Sequence, residues 1–277
     1  MTKEEECTIC STLCTIKYNH PEADIYKCNK CNHCFSILKE GIYENYSDEY
    51  FTEIHKNWFL NPNLDLFKLL SSILIKDDSS ISVMDVGCGN LDFLKYIRKR
   101  YTNINLTGVD LSDQNPTPGI NFIKADFVSY QDFQQYDYVF SIMTIEHIDN
   151  VNQFTQKLYS TVKPGGYLII TTINQSSILY IVSLLLRMFR FNGPFERLYS
   201  KHHLNHFSSH SLKKLIELNK FKIKSSIYHN VPLNSLDIPA NNIILGKILG
   251  FFVFFMFTLG NLLKRTYAQT IIAKRTI

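Results

Sequence analysis

The sequence predicts an α/β fold built on a Rossmann-like, doubly wound parallel sheet. In the stretch Ile81 to Leu94, ISVMDVGCGNLDFL, a short apolar run ends in an acid and two glycines, and a helical apolar pattern follows at once. Strand-like and helical patterns then alternate as far as Ile173, which is typical of a parallel sheet. The chain has 277 residues and 45% hydrophobic content, enough for one large domain and a small appendage.

The charge pattern narrows the function classes. The formal net charge is +4 and the isoelectric point is about 8.5, without a block of like charges. A dedicated nucleic-acid surface is therefore not expected. The N-terminal residues MTKEEEC do not resemble a signal peptide. We expect a cytoplasmic location, where thiols stay reduced.

The cysteines are concentrated at the N-terminus. Six of the seven precede Phe35, which in a reducing compartment favours a metal site over disulfides. The spacing of two C-x-x-C pairs predicts one tetrahedral thiolate site for Zn²⁺ on a ribbon over residues 1–40, formed by Cys7, Cys10, Cys28 and Cys31. Iron in a rubredoxin-like site is an alternative, and the spare candidate ligands are Cys14, Cys34, His20 and His33. A structural staple is favoured over a role in shaping a substrate site, because so short a ribbon cannot build a core unaided.

Residues 41–75 are predicted to be a linker with a leading helix. The linker, Gly41 to Trp58, is rich in tyrosine and acidic residues, and helical apolar spacing follows from Leu64 to Ile75. The main domain is expected over residues 76–277.

Acidic residues end the next two predicted strands. Asn105 to Val109 leads to Asp110, at the position where a doubly wound fold binds ribose hydroxyls; the alternative is a solvated loop aspartate. Ile120 to Lys124 leads to Asp126 and Phe127, which can bind an adenine amine and pack on its ring. The turn and these acids predict an adenosyl cofactor.

Two further strands and a helix complete the predicted alternation. Tyr136 to Ile142 is typical of a buried central strand, and Asn150 to Val162 has helical spacing. Lys163 to Gly166 is predicted to stop that helix before a strand from Tyr167 to Ile173.

Together these motifs resemble the class I S-adenosylmethionine-dependent methyltransferases. The motifs, in order, are DVGCGN, GVDLS, KADF, FSIMTIEHI and LYSTVKPGGYLIITT. The likeness covers Ile81 to Thr172 and extends loosely to the C-terminus. The later part resembles methyltransferases of small molecules and glycans, many of which carry an N-terminal cysteine ribbon. It implies a seven-stranded sheet that binds S-adenosylmethionine. The implied contacts are the methionine end to Asp85, Gly87, Cys88 and Gly89, the ribose to Asp110 and Leu111, and the adenine to Asp126 and Phe127.

The resemblance also has departures. Leu91 stands where the pattern has a third glycine. At Glu146 and His147 the chain resembles quinone-type O-methyltransferases, but Met143 stands where that family has a metal-binding glutamate, so no catalytic metal is implied. The implied acceptor is a sugar or glycan intermediate first, and a quinone or other lipid second.

Methyl transfer to a hydroxyl often needs a general base. The candidates are His147, after the fourth strand, and the later cluster of His202, His203 and His206. The alternatives are that His147 caps the following helix and that His206 packs before the next one.

Two apolar segments interrupt the domain, at Ile178 to Phe191 and Ile243 to Leu263. The second is long enough to span a bilayer, but Phe221 to Tyr228 and Thr270 to Ala273 are predicted to form a hairpin on one side of it. An interfacial segment flanked by cations, and so a peripheral membrane contact, is one interpretation. A helical cap or a dimer interface is the other.

Two rival function classes share part of this pattern. A nicotinamide-dependent oxidoreductase also uses a glycine turn and an acid, but G-x-G-x-x-G is missing here. A non-catalytic scaffold that keeps the cofactor fold is the other rival. The sequence predicts neither the acceptor atom nor the oligomeric state.

Overall fold

The computed structural model describes residues 3–43, 56–74, 81–236, 238 and 243–276. Most of the predicted linker lies outside these residues. The strands are β1 Glu4–Glu6, β2 Leu13–Asn19, β3 Ala23–Lys27, β4 Cys34–Leu38, β5 Ser82–Val86, β6 Asn105–Asp110, β7 Ile120–Lys124, β8 Tyr136–Ile142, β9 Val162–Ile173, β10 Asn205–His206, β11 Phe221–His229 and β12 Ala268–Arg275. The helices are α1 Lys56–Leu60, α2 Leu64–Ser71, α3 Asp92–Arg98, α4 Val151–Thr161, α5 Ile178–Met188, α6 Gly193–Leu198, α7 Ser209–Leu218 and α8 Ile243–Leu263, with 3₁₀ turns at Ile145–His147 and Leu233–Ser235.

A seven-stranded sheet carries the predicted α/β fold. Its strand order is β11-β12-β9-β8-β5-β6-β7. The pairs β5 with β6, β5 with β8, β6 with β7, and β8 with β9 are parallel. Because parallel strands end at the same edge, the residues after β5, β6, β7 and β8 share one rim. The predicted fold class is confirmed, and β11 and β12 are neighbours as the hairpin prediction required.

Asparagine and serine side chains fix where several helices begin. Asn63 Oδ1 accepts from the N–H of Leu66 at the start of α2, over 3.0 Å. Asn150 does the same for Gln153 at the start of α4. These side chains satisfy N–H groups that the first helical turn leaves without a partner.

The segment predicted to stop α4 belongs instead to the following strand. β9 begins at Val162, directly after α4. The pairing of β8 with β9 shifts register between Tyr136 and Tyr138, and Gly165 has a φ of +80°. A Cβ on Gly166 would lie 2.8 Å from the backbone oxygen of Asp137. The proline and glycines therefore form an irregular entry into β9, where the neighbouring backbones approach too closely for a side chain.

The chain divides into two compact units. The first comprises Met1–Pro62, Ile173–Leu212 and Ile227–Gln269, and the second comprises Asn63–Thr172, Lys213–Ser226 and Thr270–Ile277. The second unit has a core in which α2 and α3 pack on the sheet through Leu70, Leu94 and Phe140. The domain boundaries predicted from the sequence remain predictions.

The first unit contains the ribbon. Its antiparallel sheet has the order β1-β2-β3-β4-β10. The fifth strand comes from far along the chain, since Asn205 pairs with Phe35 and His206 with Cys34. The sequence did not predict this strand, because two residues are too short for a hydrophobic alternation to show.

Asp137 ties three elements of the second unit together. Its Oδ2 accepts from the N–H of Ser82, from Ser82 Oγ and from Lys163 Nζ, over 2.8, 2.7 and 2.8 Å. Burial alone raises the pKa of Asp137, but the hydrogen bonds from Lys163 and Ser82 outweigh it and hold that pKa below its ordinary value. The ionised carboxylate therefore stabilises the start of β5 and the entry to β9.

We expect Asp137→Asn to lower stability at pH 7 by about 1 kcal/mol, a value discounted because the ion pair is partly exposed. A carboxyl group whose pKa is lowered in the folded protein contributes stability at pH values above its unfolded pKa of about 3.9. That stability is lost as the pH falls through the folded pKa. The difference between the variant and wild type in denaturant unfolding should therefore shrink below about pH 4. Asp113→Asn, which removes an exposed pair with Lys124, is the matched control. A difference of constant size down to about pH 3 would contradict this account.

Candidate functional site

The glycine turn after β5 forms the centre of the candidate site. Gly87 and Gly89 have φ values of +73° and +47°. A Cβ on Gly87 would lie 2.3 Å from Thr144 Oγ1, and that hydroxyl donates to the carbonyl of Val86 over 3.1 Å. Glycine is therefore required at Gly87 by both conformation and space. Thr144, which closes the turn from the end of β8, has no signal in the sequence.

Asp110, at the end of β6, is joined to this turn. Its Oδ2 accepts from the N–H of Gly89 over 2.8 Å. Its Oδ1 accepts from the N–H and the hydroxyl of Ser112 over 2.9 and 2.7 Å. Ser112 is a further residue that the sequence analysis missed, although an acid followed two residues later by serine favours such a turn. Two predicted cofactor residues, Gly89 and Asp110, are thus in direct contact.

Asp85 lies inside the same rim. It is 2% exposed, and among the described residues its Oδ1 has no hydrogen-bond partner. Burial, and then the charge of Asp110, raise the pKa of Asp85 well above its ordinary value. A buried acceptor without a donor is costly, so this oxygen is suited to a polar or cationic group of a ligand.

The remaining predicted cofactor residues differ in how exposed their side chains are to a ligand. Leu111 is 60% exposed directly after Asp110, which leaves an apolar side chain open to a ligand. Asp126 is exposed, and its Oδ1 accepts from the N–H of Val128.

Phe127 is buried, with its ring 5.1 Å from Phe133. The Cys88 side chain is also buried in the core, so it offers the site its backbone.

Leu91 occupies the position of the missing third glycine. Its φ is +63°, a left-handed conformation that costs a non-glycine residue about 1–2 kcal/mol. Its side chain is 1% exposed in the core, and burying a leucine contributes about 1.5–3 kcal/mol. Burial thus offsets the strain. The opposing residue is Gly108, where a Cβ would lie 2.7 Å from Leu91 Cδ2.

His147 follows the fourth parallel strand, as predicted. It ends the 3₁₀ turn Ile145–His147, is half-buried, and its N–H donates to the carbonyl of Thr144 over 3.0 Å. His147 is three residues after Thr144, which packs against Gly87, so both lie on the rim that carries the glycine turn. Its neighbour Glu146 is buried and accepts from the Thr172 hydroxyl over 2.8 Å.

The later histidines belong to the first unit. His206 is 2% exposed, and its Nε2 lies 3.0 Å from Ser36 Oγ inside the ribbon sheet. Burial, followed by the charges of His33 and His20, lowers the pKa of His206 to about 3. His202 is buried and His203 is half-buried. The surroundings of His206 favour the packing alternative for that residue.

The four predicted metal ligands come together. The Sγ atoms of Cys7, Cys10, Cys28 and Cys31 all lie within 4.8 Å of one another. The Cys7–Cys31, Cys10–Cys28 and Cys10–Cys31 pairs are separated by 3.5, 3.6 and 3.6 Å. Tetrahedral Zn²⁺ with Zn–S bonds of about 2.3 Å places sulfur atoms about 3.8 Å apart. The cluster therefore has the dimensions of a thiolate zinc site.

The two C-x-x-C loops have the same backbone pattern. Ser11 and Asn32, each directly after a second cysteine, have φ values of +54° and +56°. Their N–H groups donate to the carbonyls of Cys7 and Cys28 over 2.9 and 3.0 Å. Each of these first cysteines in turn donates its own N–H to the carbonyl five residues ahead. The loops are thus folded into matching knuckles. Cys14 and Cys34 are buried but lie outside the cluster of four.

Comparison with known proteins identifies a family and relatives of this chain. A family model described as a methyltransferase domain matches residues 60–226. The ubiquinone biosynthesis O-methyltransferase of Rickettsia bellii is 29% identical over 119 residues, which are 39% of this chain and 49% of that protein. The mitochondrial enzyme of the same name from Dictyostelium discoideum is 30% identical over 126 residues, 38% of this chain and 39% of that protein. The chain thus spans about half the length, or less, of these relatives.

Solved structures share the fold. An S-adenosylmethionine-dependent methyltransferase from Archaeoglobus fulgidus has a TM-score of 0.52 and 19% identity, with 82% of this chain and all of that chain covered. Phosphoethanolamine N-methyltransferase 2 of Haemonchus contortus has a TM-score of 0.55 and 14% identity, with 88% of this chain and 62% of that chain covered. At these identities the likeness establishes the fold.

We expect Leu91 and Gly108 to be energetically coupled. Leu91→Gly should destabilise the protein, because the cavity costs about 2–5 kcal/mol and exceeds the relieved strain. Gly108→Ala should cost about 1–3 kcal/mol through overpacking. The double variant should lose less than the sum of the two in denaturant unfolding. Gly193→Ala, where a Cβ meets open space, combined with Leu91→Gly is the control and should be additive. Additivity in the Leu91–Gly108 pair would refute the coupling.

We expect the purified protein to carry about one equivalent of zinc by elemental analysis. Cys10→Ser or Cys28→Ser should lower the zinc content and the midpoint of thermal unfolding. Cys14→Ser, a buried cysteine that bonds the carbonyl of Thr12, is the matched control and should leave both unchanged. Metal-free wild-type protein, or zinc lost equally in the control, would count against the site.

Proposed function

We propose, from the premise that this chain belongs to the methyltransferase-domain family, that it transfers the methyl group of S-adenosylmethionine to a hydroxyl of a small-molecule acceptor. The observation that carries the proposal is the hydrogen bond from Gly89 to Asp110. It joins the glycine turn to the acid of the next strand, which is the arrangement that binds an adenosyl group at the carboxyl rim of a doubly wound sheet.

The residues of the rim fit this cofactor. Asp85 Oδ1, buried and without a described partner, would accept from the ammonium group of the methionine end. Asp110 Oδ2 accepts one hydrogen bond, and a carboxylate oxygen has room for a second, so it would take one ribose hydroxyl. Leu111 would cover the apolar side of the adenosine, and Asp126 would accept from the adenine amine. Gly87 and Gly89 would let the ligand approach the backbone.

The bound cofactor supplies an activated methyl group on a positively charged sulfur. The protein then has to align the acceptor and remove its proton. We assign the base to His147, because it follows β8 on the same rim as the glycine turn. The acceptor's O–H proton would pass to an imidazole nitrogen of His147 as the oxygen bonds to the methyl carbon, and the carbon–sulfur bond would break in line.

A quinone precursor with a phenolic hydroxyl is the acceptor we favour. The relatives described above are named as O-methyltransferases of ubiquinone biosynthesis. The sugar or glycan acceptor that the sequence resemblance implied gains no support from them. A phenol is also far more acidic than a sugar hydroxyl, so a general base removes its proton more readily in the transition state.

The cysteine cluster would hold zinc in a structural role. Four thiolates complete a tetrahedral site and leave no open position for a substrate. Because the ribbon is small, the metal would supply much of the stability of its knuckles.

A binding and turnover experiment tests the function. S-adenosylhomocysteine should bind in calorimetry, and Asp110→Asn should weaken binding by about tenfold or more through loss of a charged acceptor. Asp113→Asn, an exposed acid of the same loop, should bind normally. Binding of NADH in place of S-adenosylhomocysteine would refute the proposal and restore the oxidoreductase alternative.

The base assignment is tested with labelled S-adenosylmethionine and phenolic or glycan acceptors. Label should enter the phenolic pool, and His147→Ala should lower kcat by about 10²–10⁴-fold with unchanged S-adenosylhomocysteine affinity. Unchanged turnover in His147→Ala would exclude this base, and cofactor binding without transfer to either pool would favour the scaffold alternative.

A further inference from the structure

The first unit exposes an unusually apolar helix. Among the described residues, Ile244–Leu263 is the helix that is long and apolar enough to cross a membrane. Its mean hydropathy is 1.7, and 11% of its most apolar stretch is buried in the protein. It packs on α5, which is shorter and also apolar. Large exposed apolar patches mark interaction surfaces rather than ordinary solvent-facing structure.

One side of α8 carries the exposed side chains. At about 100° per residue, those that are roughly half exposed or more fall on an arc of about half the circumference. They are Ile244, Leu245, Ile248, Phe251, Phe252, Phe254, Phe255, Leu262 and Leu263. The end of α5 and the residues after it add Leu185, Met188, Phe189 and Phe191. An exposed apolar face of this kind is one that the interface of a bilayer can cover.

The opposite side of α8 is held against polar residues of the first unit. Asn230 Nδ2 donates to the carbonyl of Phe257 and to Asn261 Oδ1, over 3.1 and 2.9 Å. Asn230 Oδ1 in turn accepts from the N–H of Tyr267 over 2.9 Å. Phe257 is buried and its ring lies 5.9 Å from that of Tyr267.

The contact with Phe257 lies six residues, or about 9 Å, before the C-terminal end of the helix. If α8 crossed a bilayer, the polar group of Asn230 and the backbone beside Phe257 would enter the hydrocarbon region together with their neighbours. Irregular backbone is not tolerated there when it faces lipid. The geometry is therefore that of a helix lying in the plane of a surface.

The charges on α5, on α8 and on the residues after α8 have one sign. Neither α5 nor α8 contains an acidic residue, and none follows α8 as far as the C-terminus. Exposed cations are Arg190, Lys247, Lys264 and Arg265. Arg190 and Lys264 have φ values of +66° and +55° just past the ends of α5 and α8, so a cation terminates each apolar helix. Two copies of this surface would bring like charges together, whereas anionic headgroups would complement them.

We propose that α8 and the end of α5 form a membrane-docking surface that lies in the interface of an anionic lipid bilayer, with the exposed phenylalanines among the acyl chains and the cations at the phosphates. This proposal does not depend on the identity of the acceptor. A helix docked in this way needs long cationic side chains that reach back to the headgroups. Lys247, within α8, is such a side chain.

Vesicle flotation with the full chain tests the docking. The protein should float with vesicles of equal parts phosphatidylcholine and phosphatidylglycerol, and less with phosphatidylcholine alone. Phe251→Asp with Phe255→Asp should abolish flotation. Leu13→Asp with Leu64→Asp, which places the same charges on exposed leucines elsewhere, is the matched control and should float. Lys247→Gln with Lys264→Gln should remove the preference for the anionic vesicles.

Folding of each variant is checked by its zinc content and its binding of S-adenosylhomocysteine. Wild-type protein that stays at the bottom with both vesicle types overturns the proposal. So does a wild-type dimer that Phe251→Asp with Phe255→Asp converts to a monomer without any loss of vesicle binding.

Depth measurements distinguish an in-plane helix from a spanning one. Ile244, Phe255 and Leu262 lie on nearly one line along α8, and the outer two are about 27 Å apart. Each is replaced by Trp in turn in a Trp58→Phe background, and quenching by brominated lipids is measured. Similar shallow depths at all three positions support the proposal. A deep Trp at position 255 between two shallow ends would overturn it in favour of a spanning helix.

Discussion

The hydrogen bond between the N–H of Gly89 and the carboxylate of Asp110 organises the carboxyl rim of the sheet. It fixes the turn after β5 to the end of β6, and Thr144 closes the same turn from the end of β8. Three neighbouring strands thereby present their terminal residues around one backbone loop. The cofactor roles that we assign to Asp85, to the glycine turn and to Asp110 depend on that convergence, because backbone N–H groups and carboxylates recognise a ligand only when they are preorganised.

The strands and their order were predictable because hydrophobic runs and glycine turns act locally. The runs at Ser82–Val86 and Tyr136–Ile142 are buried β-strands where the sequence placed them. The helix α4 ends directly before the proline and two glycines, as they predict, but β9 begins at Val162 and not at Tyr167. Whether these residues join the strand depends on the close approach of Gly166 to Asp137, a tertiary contact that has no sequence signal.

The site was predictable in part. The acids and glycines follow strand ends, so their positions were foreseeable from topology. Thr144 and Gly108 were not, because each matters through the volume it occupies or leaves free beside a residue distant in sequence. Leu91 shows the same limit. A glycine is expected at its backbone conformation, and the structure explains the leucine through its burial over Gly108.

The fifth strand of the ribbon has a consequence for how the chain matures. Ser36 and His206, which contact each other in this sheet, are 170 residues apart. During synthesis the N-terminal knuckles emerge first, and β4 gains its pairing strand β10 only after residues 205–206 have been synthesised. Throughout that interval β4 has an unpaired edge, a surface on which nascent chains pair with one another. Translation speed therefore bears on the yield of native protein long before any substrate is encountered.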